Sequence, residues 1–409
     1  MKRLAFLALS LTLISLVAQA GMELTSARVY RKQGELQKAL EWYDRAIAAD
    51  PAGVAAHFEK GELLGQMAEE QKRAELFAEM RKAFDAVLNL ADQQPKQVKK
   101  YQSQIDELVE NYWIVQYNAA VEKFQLAEND SALDASANAL AQGAWATLGN
   151  TQRDSLLQVA KRDYWKQSEE ILKIAIIIDP ERWRSYALLQ NIHSQRKDWP
   201  AAEVSLREAI TRHKSPAKAA STKYATEQTE DEWRRSHLEM LENLAQISYE
   251  LKKYKETVEI CNEILGLDPQ DLLATKFIAF SYNLLGDREK AIDAYKKAMA
   301  AQPNNTDLLY NASQLYLQMG DTAKAVDCLS DFLAINPTDF EVVFQLGVIY
   351  LEGGHFADNN KAKELFGNAT KNFPDNPVAW QNYGVALIRT GEIEEGKKAI
   401  AKAKALKGE

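Results

Sequence analysis

Apolar and small residues recur along the C-terminal half of the chain at the three- and four-residue spacing of amphipathic helices. In residues 272–305 these positions fall into two groups on either side of Gly286-Asp287: Ile278, Ala279, Tyr282, and then Ala291, Tyr295, Ala298. Small residues let two helices approach, large ones fill the remaining space, and glycine ends a helix. The pattern predicts a hairpin of two antiparallel helices that is closed by Pro303.

The same pattern returns every 34 residues. The residues that recur at this interval are Tyr282, Tyr316 and Tyr350; Pro269, Pro303 and Pro337; Gly286 and Gly320; and Ala291 and Ala325. A fixed period of this length indicates supersecondary units that stack on one another. The sequence therefore predicts an all-α solenoid of stacked helix hairpins with a continuous core.

The predicted organisation has three parts: 1–20, 21–237 and 238–409. From residue 238 the hairpins follow almost without a break, as a regular array: 238–271, 272–305, 306–339, 340–376 and 377–409. Its last helix, Ile393 to Lys407, carries lysines on one side and is expected to cap the stack.

The N-terminal part is less regular. Residues 21–53 and 183–216 match the pattern, and 217–237 form a polar insertion. Within that insertion Thr229 and Glu232 have capping-box spacing, which predicts the start of a lengthened helix. The block 54–182 departs from the period, and we interpret it as three elongated units. The second of them spans Tyr101 to Asp130, and the third turns near Leu148 to Thr151.

The period and its residues resemble the tetratricopeptide repeat family over about six repeats. The resemblance implies a right-handed superhelix whose first helices line a concave groove, where family members bind proteins or peptides. Carried over position by position, the implied partner-binding residues are Lys276, Phe280, Asn283, Tyr310, Gln314, Gln318, Phe344, Val348, Gln381, Val385 and Arg389. Phe344 and Val348 have a second interpretation, as core residues of tightly wound repeats.

One branch of the family grips a C-terminal carboxylate with lysine, arginine and asparagine side chains. Lys276 and Asn311 fit that arrangement, whereas Phe280, Glu341 and Gln345 replace the asparagine, lysine and arginine that it needs. A carboxylate clamp is therefore not expected. Amides and aromatic rings instead suit an extended backbone or an amphipathic helix.

The first twenty residues resemble a secretory signal peptide. Lys2 and Arg3 precede an apolar stretch that is short for a membrane span, and Ala18-Gln19-Ala20 has the form of a cleavage site. The alternative is an uncleaved N-terminal anchor. A lipoprotein is not expected, because no cysteine lies near the cleavage site. We therefore expect an exported protein of the periplasm or cell envelope, soluble after cleavage.

The charge and the residue pattern argue against nucleic-acid binding, metal binding and catalysis. Without Lys2 and Arg3 the chain has 48 basic and 58 acidic side chains, a formal charge of −10 that repels phosphate backbones. No histidine pair has metal-ligand spacing, and Glu352, His355 and Asp358 form the best cluster. No phosphate-binding loop or nucleophile elbow is present. We expect no metal, no cofactor and no catalysis.

Three functional hypotheses remain. The first is a non-enzymatic scaffold that binds a protein or peptide in the groove, and the second is a structural component that self-associates through its long central hairpins. The third is an enzyme whose pocket lies in 54–182, lined by Trp113, Trp145 and Trp165, although core packing of these rings is the simpler interpretation. Cys261 and Cys328 fall two repeats apart and are expected to stay unpaired.

Overall fold

The computed structural model describes residues 18–142, 144–215, 229–352 and 354–408. Within these ranges the chain consists of α-helices, two short 3₁₀ turns and connecting loops, with no β-strand. The predicted all-α architecture of stacked helix hairpins is confirmed. The chain divides into two compact units, Met1–His237 and Leu238–Glu409. The leader predicted at 1–20 lies largely outside the described residues, as does most of the predicted insertion at 217–237.

The helices of the first unit differ widely in length. In chain order they are α1 (18–32), α2 (Leu36–Ala49), α3 (Val54–Glu70), α4 (Glu75–Leu88), α5 (Pro95–Leu126), α6 (Asp130–Leu140), α7 (Asn150–Ile178), α8 (Trp183–Gln195) and α9 (Trp199–Arg212). The next helix, α10 (Glu230–Glu250), begins in the first unit and continues into the second. Its start carries the predicted capping box: the Thr229 backbone N–H donates to Glu232 at 2.8 Å, and the Glu232 N–H donates back to the Thr229 hydroxyl at 3.3 Å.

The second unit is a regular series of hairpins. Its helices after α10 are α11 (Tyr254–Leu267), α12 (Leu272–Leu284), α13 (Arg288–Ala301), α14 (Thr306–Gln318), α15 (Thr322–Ile335), α16 (Phe340–Glu352), α17 (Asn359–Asn372), α18 (Pro377–Arg389) and α19 (Ile393–Lys407). Each hairpin buries a small residue where its two helices meet, such as Ala291 in α13 and Ala325 in α15, both fully buried. Asp287 and Asp321 cap the second helices by accepting backbone hydrogen bonds.

The irregular block contains one hairpin fewer than the sequence suggested. Residues 101–126 belong to the single helix α5, so the separate unit predicted from Tyr101 to Asp130 is wrong. No glycine or proline interrupts α5 after Pro95, and its 32 residues therefore continue as one helix. Helix α5 pairs with α7, which is 29 residues long, and α6 lies between them in the chain. The turn predicted near residue 148 is present, because α7 begins at Asn150.

A buried charged cluster joins this long hairpin to α8. Arg182 is 4% exposed, and its guanidinium forms an ion pair with Glu110 of α5 and lies 4.7 Å from the ring of Trp113. Its Nε donates to the Asp179 carboxylate at 3.3 Å, and the Trp113 indole N–H donates to the Ser185 hydroxyl at 2.9 Å. These contacts fix α5 against the loop and helix that follow α7.

The final hairpin, α18 and α19, has an unusually close crossing. A methyl group added at Gly396 would lie 2.7 Å from the backbone oxygen of Gly384, and one added at Gly384 would lie 2.8 Å from the oxygen of Gly396. Glycine therefore replaces the usual second-helix alanine because the two backbones touch there. Helix α19 coincides with the capping helix expected from the sequence.

We predict that Gly396→Ala destabilises the protein by about 1–3 kcal/mol, since the added methyl must push α19 away from α18. The matched control is Gly266→Ala, at a helical glycine of α11 with nothing within 4 Å of the added methyl. This change should instead stabilise by roughly 0.5–1 kcal/mol. Thermal and urea unfolding of both variants measure the effect. Equal stability of Gly396→Ala and the wild type would show that α18 and α19 are not held at this distance.

Candidate protein-binding groove

The predicted groove residues lie on α12, α14, α16 and α18, the first helices of four successive hairpins. We call the surface formed by these residues the groove face. Two cross-repeat contacts define it: Lys276 Nζ lies 3.3 Å from the Asp307 carboxylate, and the Tyr310 hydroxyl donates to Glu341 at 2.9 Å. The structure therefore brings α12, α14 and α16 together along one surface.

A reciprocal amide pair forms the third cross-repeat contact. The Gln314 side-chain amide donates to Gln345 Oε1 at 2.8 Å, and the Gln345 amide donates back to Gln314 Oε1 at 3.1 Å. In each of the three contacts the partners are 31 residues apart. That separation is one repeat of 34 minus about one helical turn, so each side chain meets the neighbouring helix one turn nearer its N-terminus.

The apolar members of the groove face are half-buried. Phe280 packs edge-on to Tyr295 of α13, with ring centroids 6.1 Å apart, and Phe344 lies 6.4 Å from Phe366 of α17. Val348 and Val385 pack against the same core cluster as Phe344. Each of these side chains therefore supports its hairpin with one side and leaves part of its surface accessible.

The remaining predicted residues differ in what holds them. Arg389, at the end of α18, donates to the backbone oxygen of Leu351 and so ties α18 to the end of α16. Gln381 accepts a hydrogen bond from Lys407 of the last helix at 2.9 Å. Asn283 is half-buried and Gln318 is exposed, and neither side chain has a hydrogen-bond partner within the described residues. These last two amides are open to a ligand.

Sequence analysis missed the carboxylates as partners. Asp307 and Glu341 are both exposed and engage residues that the sequence assigned to the groove. Glu341 and Gln345 are also the residues that break the carboxylate-clamp pattern, and the structure shows that they are used within the repeat stack instead. The separation of 31 residues becomes visible only in the structure, because it depends on how neighbouring repeats are rotated.

The groove face carries cations at Lys276 and Arg389 and has two carboxylates beside it, those of Asp307 and Glu341. The cation of Lys276 is paired with Asp307, whereas Glu341 accepts from a neutral phenol that leaves its charge uncompensated. The hydrogen bond to Glu341 raises the pKa of Tyr310, because losing the phenolic proton would set two negative charges side by side.

A second concentration of carboxylates lies between α10 and α12. Burial and the neighbouring carboxylate of Asp271 raise the pKa of Glu242 to about 7, and Glu239 and Asp268 add to the repulsion. Asp271 also caps α12 by accepting from the Ala274 N–H at 2.6 Å. Glu242 therefore holds its proton to a higher pH than an isolated glutamate does.

We predict that this pair makes the second unit more stable as the pH falls from about 8 to about 5.5. The folded pKa of Glu242 exceeds the unfolded value, so the folded state binds the proton more strongly, and stability is lost as the pH rises through about 7. Glu242→Gln, which cannot ionise, should remove this part of the pH dependence. Melting temperatures of both proteins across that range provide the test, and parallel curves would contradict it.

The sequence also suggested a tryptophan-lined pocket and a metal cluster as candidate sites. Trp113 is 5% exposed and Trp165 is 6% exposed, and Trp145 packs against the Leu133 and Ala160 cluster, so all three rings contribute to cores rather than lining a pocket. The described residues contain no group of three histidine, cysteine or acidic side chains arranged to hold a metal. Asp358 instead caps α17.

Both cysteines are unpaired and buried. Burial raises the pKa of Cys261 to about 12 and that of Cys328 to about 11. Neither thiol is therefore a nucleophile near neutral pH.

The geometry defines a class of protein: stacked helix hairpins with a polar, accessible surface along their first helices. Family models described as tetratricopeptide repeats match residues 238–271 and 284–346, and a TPR repeat model matches residues 27–67. These matches identify tetratricopeptide repeats within both units of the chain.

Three solved structures illustrate the similarity. A structure of MamA is 19% identical over 40% of this chain and 95% of its own, with a TM-score of 0.34. A tetratricopeptide repeat protein from Parabacteroides merdae is 16% identical over 56% and 84%, with a TM-score of 0.37. YrrB, described as a TPR protein with an unusual peptide-binding site, is 20% identical over 48% and 94%, with a TM-score of 0.35. No curated protein matches the sequence significantly.

Proposed function

We propose that this protein is a non-enzymatic scaffold of the periplasm or cell envelope, which binds a segment of a partner protein on the groove face. The observation that carries the proposal is the continuous surface along α12, α14 and α16, with open amides at Asn283 and Gln318 beside half-buried aromatic rings. Amides satisfy the polar groups of a bound backbone, and rings give contact area at small entropic cost.

The carboxylate of Glu341 favours a partner segment that places lysine or arginine beside α14 and α16. Glu341 is exposed and uncompensated, and the cation of Lys276 is already paired with Asp307. A C-terminal carboxylate would meet net repulsion there, whereas a basic side chain would form a charge-assisted hydrogen bond.

Peptides selected from a random display library against the full-length protein test this proposal. Glu341→Gln and Gln318→Ala should each weaken the selected peptides by at least about fivefold, since each removes a group available to the ligand. The matched control is Glu289→Gln, which removes an exposed charge from α13, away from the groove face. Neither groove substitution should change the free energy of unfolding by more than about 0.5 kcal/mol.

If selected peptides bind both groove variants as tightly as the wild type, the groove face is not the binding site. If the two substitutions lower the stability of the fold and leave peptide affinity unchanged, Glu341 and Gln318 stabilise the packing of the repeats and do not bind the peptide. Gln314 is unsuitable for this test, because its removal also leaves the Gln345 amide without its partner.

Self-association through the long hairpin is a second candidate function. Val115 of α5 and Val159 of α7 are 50% and 47% exposed, and Ile114 is 38% exposed. Apolar side chains of this size on an elongated hairpin suit contact with a second copy. Light scattering of the wild type and of Val115→Lys, Val159→Lys would distinguish a dimer from a monomeric scaffold.

Export is the remaining part of the proposal. No helix within the described residues is long and apolar enough to cross a membrane. Cleavage after Ala20 would leave residues 21–32 of α1 at the start of the mature chain. We predict that mass spectrometry of the exported protein finds Gly21 as the first residue. A first residue at Met1 in protein recovered from the envelope would favour an uncleaved anchor.

A further inference from the structure

A cavity of about 340 Å³ lies between α11, α12 and α13 in the second unit. It involves a different face of α12 from the groove. Thr275, Ile278 and Tyr282 line the cavity, whereas the groove residues Lys276 and Phe280 do not. Its volume falls within the range of pockets that hold small molecules, which starts at about 300 Å³.

The cavity exists because α13 carries alanine where both neighbouring second helices carry larger side chains. Three lining residues, Ala294, Ala298 and Ala301, account for this. The residues 34 positions earlier are Ile260, Ile264 and Leu267, and those 34 positions later are Cys328, Phe332 and Ile335. Every one of the six is larger than alanine. The shorter alanine side chains therefore leave more space along α13 than larger side chains would.

The opposite wall is also reduced. Thr275 of α12 lines the cavity, and the residues one repeat before and after it are Leu241 and Leu309, both buried. Threonine is smaller than leucine, and its hydroxyl donates to the backbone oxygen of Asp271 at 2.8 Å. Leu265, Leu272 and Ile278 add apolar side chains to the lining, and Asn262 and Gln270 add amides to it.

The rim carries positive charge that the neighbouring repeats lack. Lys297 lines the cavity, and its counterparts 34 residues away on either side are Glu263 and Asp331. Lys297 is exposed and forms no ion pair within the described residues. The other rim charges are compensated, since Lys290 pairs with Asp287 at 2.7 Å and Asp293 with Lys296 at 3.9 Å.

We propose that this cavity is a binding site for a small apolar carboxylate, with the hydrocarbon part against the alanines of α13 and the carboxylate at Lys297. The alanines of α13 together with Leu265, Leu272 and Ile278 form an apolar wall, against which a hydrocarbon chain would be removed from water. Lys297, as the uncompensated cation at the rim, selects an anionic head group over a neutral or cationic one. The site is independent of the proposed groove function.

Binding of decanoate to the full-length protein, followed by calorimetry, tests the proposal. The wild type should bind decanoate more tightly than decanol, which has the same chain without the charge. Lys297→Glu, the residue found one repeat earlier, should weaken decanoate binding by at least about fivefold while leaving decanol unchanged. The matched control, Lys255→Glu, makes the same charge change at an exposed lysine of α11 outside the cavity lining.

A second variant tests the cavity itself. Ala301→Leu restores the side chain of Leu267 one repeat earlier, at an exposed position that tolerates the larger residue. It should reduce the binding of decanoate and of decanol together by about tenfold. Undetectable binding of decanoate by the wild type, or binding that Ala301→Leu leaves unaltered, would overturn the cavity as a site. Equal binding of decanoate and decanol would overturn the assigned role of Lys297.

Discussion

A helix hairpin of this kind has two apolar sides and can bury only one of them within itself. Within each unit, a described hairpin therefore depends on its neighbour for the burial of its remaining apolar surface. The fully buried alanines at the crossing points, such as Ala291 and Ala325, set how closely the two helices of a hairpin approach. The half-buried rings of Phe280 and Phe344 then settle how much of the first-helix surface stays accessible. The packing between helices thus determines both the stability of the fold and the extent of the accessible surface on the first helices.

The separation of 31 residues between contacting side chains extends this dependence to polar groups. It occurs in the second unit at Lys276 and Asp307, and in the first unit at Arg28 and Glu59, where the guanidinium Nε lies 2.9 Å from the carboxylate. Arg31 and Glu62 repeat it one turn later. The same offset in both units indicates the same geometry between neighbouring first helices. These exposed pairs contribute little stability individually and mainly fix the register of the surface.

The regular array could be predicted almost completely, because Pro269, Pro303 and Pro337 mark its boundaries and glycine marks its turns. The long helix α5 could not be predicted in this way. Ala120 and Ala127 have the spacing expected of the second helix of a hairpin, and both are buried in a core cluster. Nothing in 95–126, however, ends a first helix before them. A buried periodic face shows that a helix packs, but it does not show where the helix begins.

Candidate binding residues were predicted less completely than the fold. Their placement on α12, α14, α16 and α18 followed from the family resemblance, whereas their partners Asp307, Glu341 and Gln345 depend on how one repeat rotates against the next. That rotation has no local signal in the chain. The contact between Gly384 and Gly396 could not be predicted for the same reason. The sequence does not show which backbone lies opposite a glycine within a helix.

The amide pair of Gln314 and Gln345 has a consequence for how long a complex lasts. Each amide already satisfies a donor and an acceptor of the other, so a ligand that engages them exchanges existing hydrogen bonds for equivalent ones. Such an exchange adds selectivity for a backbone-like shape and little net free energy. A partner held through this pair would consequently dissociate quickly, and the scaffold would be suited to turnover of its partners rather than to permanent assembly.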